Sequence, residues 1–202
     1  MTAADLVDGF DVADPDAWNA VDHVDAAFLN AGVTAGTTDI RDVSDAAYTR
    51  IRGANLDGVV YGVRRLAHVL QPETAIVVTA SLAGLVAAPQ DPLYTLTKHA
   101  VVGFVRSVAP QLATRGIRIN AVAPGFVDTP LLGEQGRELF AGAGFPLLQP
   151  EEVAQAALTA ARSEESGQVW VVQPGREPVK FRFPSIPGPR DAEGAPIGLP
   201  PT

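Results

Sequence analysis

Residues 74–125, TAIVVTASLAGLVAAPQDPLYTLTKHAVVGFVRSVAPQLATRGIRINAVAPG, contain two apolar runs joined by a longer stretch. The runs, 74–81 and 117–125, are almost continuously apolar, which is typical of strands buried on both faces of a parallel sheet. Between them, residues 93–113 have helical periodicity, and Gly116 suits the left-handed position that ends a helix. Strand, helix and strand in this order predict a βαβ unit with parallel strands.

The same alternation continues on both sides of this unit. Short apolar segments of the same character occur at 24–32, VDAAFLNAG, and at 167–175, GQVWVVQPG. Helical segments are predicted over 44–70, with Ser44 as the N-cap, and over 150–162, which opens on a proline. We therefore predict an α/β fold with a Rossmann-like, doubly wound, mostly parallel sheet.

The amino-acid composition limits the classes of protein to which this chain can belong. Its 202 residues, 47% hydrophobic and 19% charged, are typical of one soluble globular domain with a sizeable core. The net charge of −8 argues against nucleic acid or an anionic membrane as a partner, and the lack of cysteine excludes thiol chemistry. No basic, apolar leader and no bilayer-spanning run is recognisable, so we expect a cytoplasmic protein.

The chain divides by composition near residue 172. Residues 1–172 carry the α/β pattern, whereas 173–202 are dense in proline and glycine and have no period. We expect the second part to be an extended C-terminal tail without its own core, pinned locally by Phe181 and Phe183. The three histidines have no metal-ligand spacing, so no metal site is expected.

Small and polar residues follow three of the predicted strands. They are Asn-Ala-Gly at 30–32, Ser81, and Pro-Gly at 124–125. Ligands of open parallel sheets bind beyond the carboxyl ends of the strands, and the glycines would let a flat or phosphate-bearing ligand approach the backbone. Tyr94 and Lys98 open the following helix one turn apart, so they can lean over the same edge.

These residues, in this order and spacing, resemble the motifs of the classical short-chain dehydrogenase/reductase family over roughly residues 9–172. A tyrosine and lysine four apart recur by chance, but five ordered motifs are specific. The matching elements are DV at 11–12, NAG at 30–32, Asn55 in ANLDG, Ser81 in TASLAG, YTLTK at 94–98 and AVAPGFVDT at 121–129.

The resemblance implies an oxidoreductase that transfers a hydride between NAD or NADP and a small alcohol or ketone. Tyr94 would be the general acid/base, and Lys98 would favour its phenolate and reach the nicotinamide ribose, because a free tyrosine with a pKa of about 10 is a poor base. Ser81 would hydrogen-bond the substrate oxygen, and Asn55 would hold a water that links Lys98 to solvent.

The resemblance also implies cofactor contacts and self-association. A homodimer or homotetramer would pair the two long helices across a two-fold axis, through apolar residues such as Val59, Val60, Val63, Val101, Val105 and Val108. The cofactor contacts would come from Asp11, Val12, Asn30, Ala31, Gly32, Tyr94, Lys98, Pro124, Gly125, Val127 and Thr129.

The sequence departs from the family's pattern before residue 30, where no Gly-rich TGxxxGxG turn occurs. We expect the 202 residues to lack the N-terminal part of the nucleotide site, through a start codon placed too far downstream or in a truncated chain. The strand at 24–30 would then have an unpaired edge, which LVDGFDV at 6–12 or a partner's strand would cover. Leu96 also stands where small residues are usual in the family.

Structural alternatives stay open for the individual residues. Tyr94 could be a half-buried packing residue, Asn30 could cap a turn, and Asp11 could be a solvated loop carboxylate. A second function also stays open, namely a catalytically inactive family member that acts as a binding or assembly module. Titration with NAD(H) and NADP(H) separates the two functions, because absence of binding at millimolar cofactor would favour the inactive module.

Overall fold

A computed structural model describes residues 4–36 and 39–198, and its centre is a five-stranded sheet. The strands lie in the order β1-β2-β3-β4-β5; the first four are parallel, and β5 runs antiparallel to β4. The prediction of a mostly parallel α/β sheet is confirmed. The strands are β1 Ala26–Leu29, β2 Ala75–Thr79, β3 Arg118–Pro124, β4 Val169–Val172 and β5 Val179–Lys180.

Five α-helices and several short helical turns connect the strands. The helices are α1 Asp45–Arg52, α2 Gly58–Val69, α3 Pro92–Ala113, α4 Gly133–Gly142 and α5 Pro150–Arg162. A π-helical turn, Gly53–Asp57, joins α1 to α2. Single 3-10 turns occur at Leu6–Asp8, Ala17–Ala20, Ile40–Asp42, Leu82–Gly84 and Pro130–Leu132.

The three helical segments expected from periodicity are present. The Ser44 hydroxyl accepts from the Ala47 amide at 3.1 Å and caps α1, and Gly116 adopts φ +71° after α3. The sequence did not predict α4, the π turn or β5. The π turn lies inside the predicted segment 44–70, which is helical from Asp45 to Val69 but is not one α-helix.

Helices cover both faces of the sheet. Valines and leucines of α2 and α3 pack with Ile76, Val78 and Ile119 on one face. On the other face, Ala156 and Ala160 of α5 pack with Val77. Because β2 and β3 are buried on both faces, their sequences are almost continuously apolar, whereas β1 at the edge alternates exposed and partly buried residues.

Four of the six valines expected at a helix-helix interface belong to the chain's own core. Val59, Val63, Val101 and Val105 are at most 5% exposed. Of the six, Val60 and Val108 alone are partly exposed. The valine pattern therefore reflects packing within the chain, and it supports self-association less than the sequence indicated.

The N-terminal segment lies on helices rather than beside the sheet. Within the described residues, β1 pairs with β2 alone, and residues 6–12 do not form a strand beside it. Residues 10–18 instead cover the α1–α2 face, where Val12 packs against Gly58 and the buried Trp18 indole lies over Gly62. The expectation that 6–12 would cover the edge of β1 is therefore wrong for this structure.

The tail after β4 returns to the sheet. The Phe181 amide donates to the Val169 carbonyl at 2.8 Å, and Phe181 and Phe183 pack against the main core. The Arg106 guanidinium lies 3.6 Å from the centre of the Phe183 ring, and Lys180 pairs with Glu165.

No helix in this description, over 4–36 and 39–198, is long and apolar enough to cross a membrane.

We predict that Gly62→Ala destabilises the fold by about 1–3 kcal/mol, since overpacking forces rigid groups apart. A Cβ at position 62 would lie 2.6 Å from Cη2 of the Trp18 indole. Gly103→Ala is the matched control, because a Cβ there meets nothing within 4 Å in the exposed face of α3. Urea unfolding should show Gly103→Ala unchanged or stabilised by up to about 1 kcal/mol. Equal effects of the two substitutions would contradict the tight contact.

Candidate active site

The carboxyl ends of β1 and β2 bring several polar groups together. The Thr79 hydroxyl donates to Asn30 Oδ1 at 2.8 Å, and the Thr79 carbonyl accepts from Lys98 Nζ at 2.7 Å. A Cβ added to Gly32 would lie 3.4 Å from Asn55 Oδ1 and 3.6 Å from Lys98 Nζ. The structure therefore places Asn30, Gly32, Asn55 and Lys98 around one point at the end of the sheet.

Lys98 lies on the first turns of α3 with its ammonium buried. The residue is 3% exposed, and its Nζ lies 5.4 Å from the centre of the Tyr94 ring. Burial lowers the pKa of Lys98 to about 8, because the charged form loses hydration. A positive charge is thus held next to the tyrosine at neutral pH.

Tyr94 and Ser81 meet across the gap between α3 and the end of β2. Burial raises the pKa of Tyr94, the hydrogen bond with the Ser81 hydroxyl acts in the opposite direction, and the Asp91 carboxylate raises the pKa further. Ser81 Oγ accepts from the Ala83 amide at 3.1 Å, which fixes the hydroxyl at the start of a 3-10 turn. The three residues singled out by the sequence, Ser81, Tyr94 and Lys98, are therefore neighbours.

Gly84 permits the close approach of this turn to α3. A Cβ on Gly84 would lie 2.6 Å from the carbonyl oxygen of Lys98, closer than any side chain can sit without a backbone shift. Any larger residue would push the Ser81 turn away from the helix that carries Tyr94. The sequence analysis missed this glycine, although its position three residues after Ser81 could have drawn attention to it.

Asn55 is fully buried in the π turn, and its side chain holds the loop after β1. Its Oδ1 accepts from the Val33 amide at 2.8 Å, and its Nδ2 donates to the Val33 carbonyl at 2.9 Å and to Thr97 Oγ1 at 3.1 Å. Both amide hydrogens are therefore used by protein groups. A water linked to Lys98 would have to bind at Oδ1 or at a backbone carbonyl.

Two further side chains hold the same loop, residues 33–35. Arg50 of α1 donates to the Thr34 carbonyl at 2.7 Å, and the Ala35 amide donates to Asp91 Oδ2 at 2.9 Å. The sequence analysis assigned no role to Arg50 or Asp91. Asp91 immediately precedes Pro92 at the start of α3, an N-cap signature that could have been recognised.

The remaining predicted cofactor residues occupy different surroundings. Asn30 and Ala31 are exposed at the end of β1, and the amide of Gly125 donates to the Val172 carbonyl at 3.0 Å after Pro124 ends β3. Asp11 Oδ1 caps the Ala13 amide, and the Val12 carbonyl accepts from the Trp18 indole. Val12 packs at Gly58, directly after the π turn that contains Asn55.

Residues 126–148, which we call the flap, follow Gly125 at the end of β3. The flap is closed at its base by hydrogen bonds between the 126–128 and Leu148 backbones, and Leu148 is fully buried. Val127 lies in this closure, and Thr129 begins the next 3-10 turn. The rings of Phe126, Phe140 and Phe145 cluster with centroid separations of 4.3–6.1 Å. The flap thus presents an aromatic, partly exposed surface.

Comparison with known proteins places this arrangement in a family context. A family model described as "Enoyl-(Acyl carrier protein) reductase" matches residues 11–175. A 3-alpha-(or 20-beta)-hydroxysteroid dehydrogenase of Mycobacterium tuberculosis is 33% identical over 190 residues, 86% of this chain and 73% of that protein. A cyclohexanol dehydrogenase of an Acinetobacter strain is 36% identical over 133 residues, 64% of this chain. The chain spans 53% of the length of that relative.

Solved structures of similar proteins share the fold. A 3-oxoacyl-[acyl-carrier protein] reductase with bound NAD from Brucella melitensis is 30% identical, with a TM-score of 0.68 over 80% of this chain and 67% of that chain. The structure titled "ElxO with NADP Bound" is 25% identical, with a TM-score of 0.67 over 80% of this chain and 74% of that chain.

We predict that Lys98→Met stabilises the chain at neutral pH and that the gain shrinks as pH rises from about 8 towards 10.5. The folded chain releases the Lys98 proton near pH 8, whereas the unfolded chain keeps it up to the ordinary lysine value of 10.5. Since the unfolded state binds more protons in this window, wild-type stability rises relative to the variant. Urea unfolding of both proteins across the window measures the difference, and a constant gap would contradict a buried charge.

Proposed function

This chain belongs to the short-chain dehydrogenase/reductase family, and on that basis we propose that it transfers a hydride between a nicotinamide cofactor and an alcohol or ketone, with Tyr94 as general acid/base. The observation that carries the proposal is the buried Lys98 ammonium 5.4 Å from the Tyr94 ring, with Ser81 on the same phenol. Such a grouping supplies a proton at a fixed place, which carbonyl reduction requires.

NAD or NADP, when bound, supplies or accepts the hydride at the nicotinamide ring. In the reduction of a ketone, the carbonyl carbon gains the hydride and the carbonyl oxygen takes the proton of Tyr94. In the oxidation of an alcohol, the Tyr94 phenolate removes the hydroxyl proton as the hydride leaves the carbon. Because burial raises the pKa of Tyr94 above its ordinary value, the phenol carries the proton that reduction requires.

Ser81 and Lys98 support this proton transfer in different ways. The Ser81 hydroxyl accepts from the Ala83 amide and shares a hydrogen bond with Tyr94, and with substrate bound its hydrogen would turn to the substrate oxygen and hold that oxygen near Tyr94. The Lys98 charge stabilises the phenolate when the proton has left. Its carbonyl anchor at Thr79 keeps the ammonium in place throughout.

The residues present fit the nicotinamide and ribose half of the cofactor. Gly32 leaves an open approach between Asn55 and Lys98, where a Cβ would meet both side chains, and Asn30 and Ala31 are exposed beside it. Lys98 would hold the ribose hydroxyls, and Gly125 with Thr129 would lie on the other side. The 202 residues contain no Gly-rich TGxxxGxG turn to hold a diphosphate, so we assign these residues to that half alone.

We propose a small or apolar alcohol or ketone as the substrate, on the ground that the flap is apolar. The flap that follows Gly125 carries three clustered phenylalanines, and Leu131 and Leu139 add exposed apolar surface. Apolar walls favour substrates with a hydrocarbon body and one reacting oxygen. Two of the similar proteins, named cyclohexanol dehydrogenase and hydroxysteroid dehydrogenase, have names that indicate substrates of this kind.

We predict that Tyr94→Phe lowers kcat by about 10²-fold or more with cofactor affinity nearly unchanged, because proton transfer is worth about 10²–10⁴-fold. Tyr48→Phe is the matched control, since Tyr48 is 40% exposed on α1. Turnover is measured through cofactor absorbance with a panel of alcohols and ketones. More than about a tenth of the wild-type rate in Tyr94→Phe would overturn the assignment. Absence of NAD(H) and NADP(H) binding at millimolar concentration would favour an inactive binding module.

A further inference from the structure

Asp91 uses both of its carboxylate oxygens, and each of them binds a different part of the site. Oδ1 accepts from the Tyr94 amide at 2.9 Å and caps α3. Oδ2 accepts from the Ala35 amide at 2.9 Å, across 56 residues of sequence. The other side-chain caps act locally: Ser44 binds Ala47, and Asp5 binds Val7. Asp91 is therefore a cap that also connects α3 to the loop after β1.

The loop that Asp91 holds forms one wall around Tyr94. Ala35 is buried together with Ile51 of α1 and Leu93 of α3, and the Tyr94 side chain packs against this cluster. Arg50 and Asn55 hold the neighbouring residues of the loop through backbone hydrogen bonds. Release of Ala35 from Asp91 would loosen the wall on the side that faces the exposed end of β1.

Charged and polar groups lie near Tyr94 on α3 and on the turn after β2. Lys98 of α3 places its ammonium 5.4 Å from the ring centre, and Ser81 places its hydroxyl on the phenol from the turn after β2. From α1, the Arg50 guanidinium binds the Thr34 carbonyl in the adjacent loop. Asp91, at the start of α3, supplies negative charge, and a nearby carboxylate favours the neutral phenol.

We propose that Asp91 is a positioning residue of the reaction: its carboxylate fixes loop 33–35 against the first turn of α3 and places a negative charge close to Tyr94. The proposal rests on the proposed role of Tyr94 as general acid/base. Burial raises the pKa of Tyr94 most, the Ser81 hydrogen bond opposes it, and the Asp91 carboxylate raises the pKa further. Removal of the Asp91 charge should therefore lower the pH at which Tyr94 changes from proton donor to proton acceptor.

The proton affinity of Tyr94 can be measured without cofactor or substrate. The chain has three tyrosines, so the tyrosinate absorbance of wild type minus that of Tyr94→Phe, followed against pH, isolates Tyr94. The same difference is taken in Asp91→Asn, Asp91→Ser and Asp91→Glu backgrounds. Asparagine and serine are good N-caps, so both variants keep the helix start while they remove the charge. Glutamate keeps the charge.

We expect Tyr94 to ionise at lower pH in Asp91→Asn and Asp91→Ser than in wild type, and Asp91→Glu to restore most of the difference. Hydrogen exchange at the Ala35 amide, followed by NMR, should be about tenfold faster in the asparagine and serine variants, because one hydrogen bond has been lost. A cap with a purely structural role would leave the ionisation of Tyr94 in Asp91→Ser unchanged, and that result would overturn the proposal.

Arg50→Met is the matched control, since it releases the same loop at Thr34 while the Asp91 carboxylate stays in place. If Arg50→Met lowers the ionisation pH of Tyr94 as much as Asp91→Asn does, hydration of a loosened loop explains the shift and the proposal fails. The pH dependence of turnover should move with the Tyr94 titration. If no variant and no wild-type sample turns over, the proposed function fails, whereas the titration still decides the role of Asp91.

Discussion

The Lys98 ammonium, buried on the Thr79 carbonyl, is the interaction on which the carboxyl edge of the sheet depends. Lys98 forms no ion pair within residues 4–36 and 39–198, and hydration lost on burial is costly for a charged group. Gly84 lets the turn after β2 lie against the Lys98 backbone, where a Cβ would be 2.6 Å from the Lys98 carbonyl oxygen, and Gly32 lies beside the ammonium. Stability is thus given up locally to keep a positive charge next to a phenol.

The π turn between α1 and α2 serves the same edge from the other side. It places Asn55, fully buried, where its side chain can bind both the amide and the carbonyl of Val33. Gly53 begins this turn and Gly58 follows it, and their missing side chains make room for Ala13 and Val12. The Asn55 side chain thus binds the backbone of Val33 and fixes the loop after β1. Arg50 and Asp91 fix the next two residues of that loop.

The sequence predicted the four parallel strands, the three long helical segments and the meeting of Ser81, Tyr94 and Lys98, because these follow from short-range periodicity and ordered motifs. It did not predict the contact between Asp91 and Ala35, since their 56-residue separation becomes proximity only in the folded chain. It also missed α4, whose glycines at both ends and in the middle give a weak helical pattern, and β5, which at two residues is too short to have a period. The N-terminal segment packs on α1 and α2 because Trp18 buries its indole there.

The short antiparallel β5 has a consequence for how the protein behaves at high concentration. Long, flat outer strands recruit strands of other chains, and natural proteins block them with short strands, lysines and prolines. Here the outermost strand on the β4 side is Val179–Lys180, it follows Pro178, and Pro184 stands four residues after Lys180. Its lysine is engaged with Glu165. The tail therefore protects the β4 side of the sheet from aggregation by edge-to-edge pairing with strands of other chains.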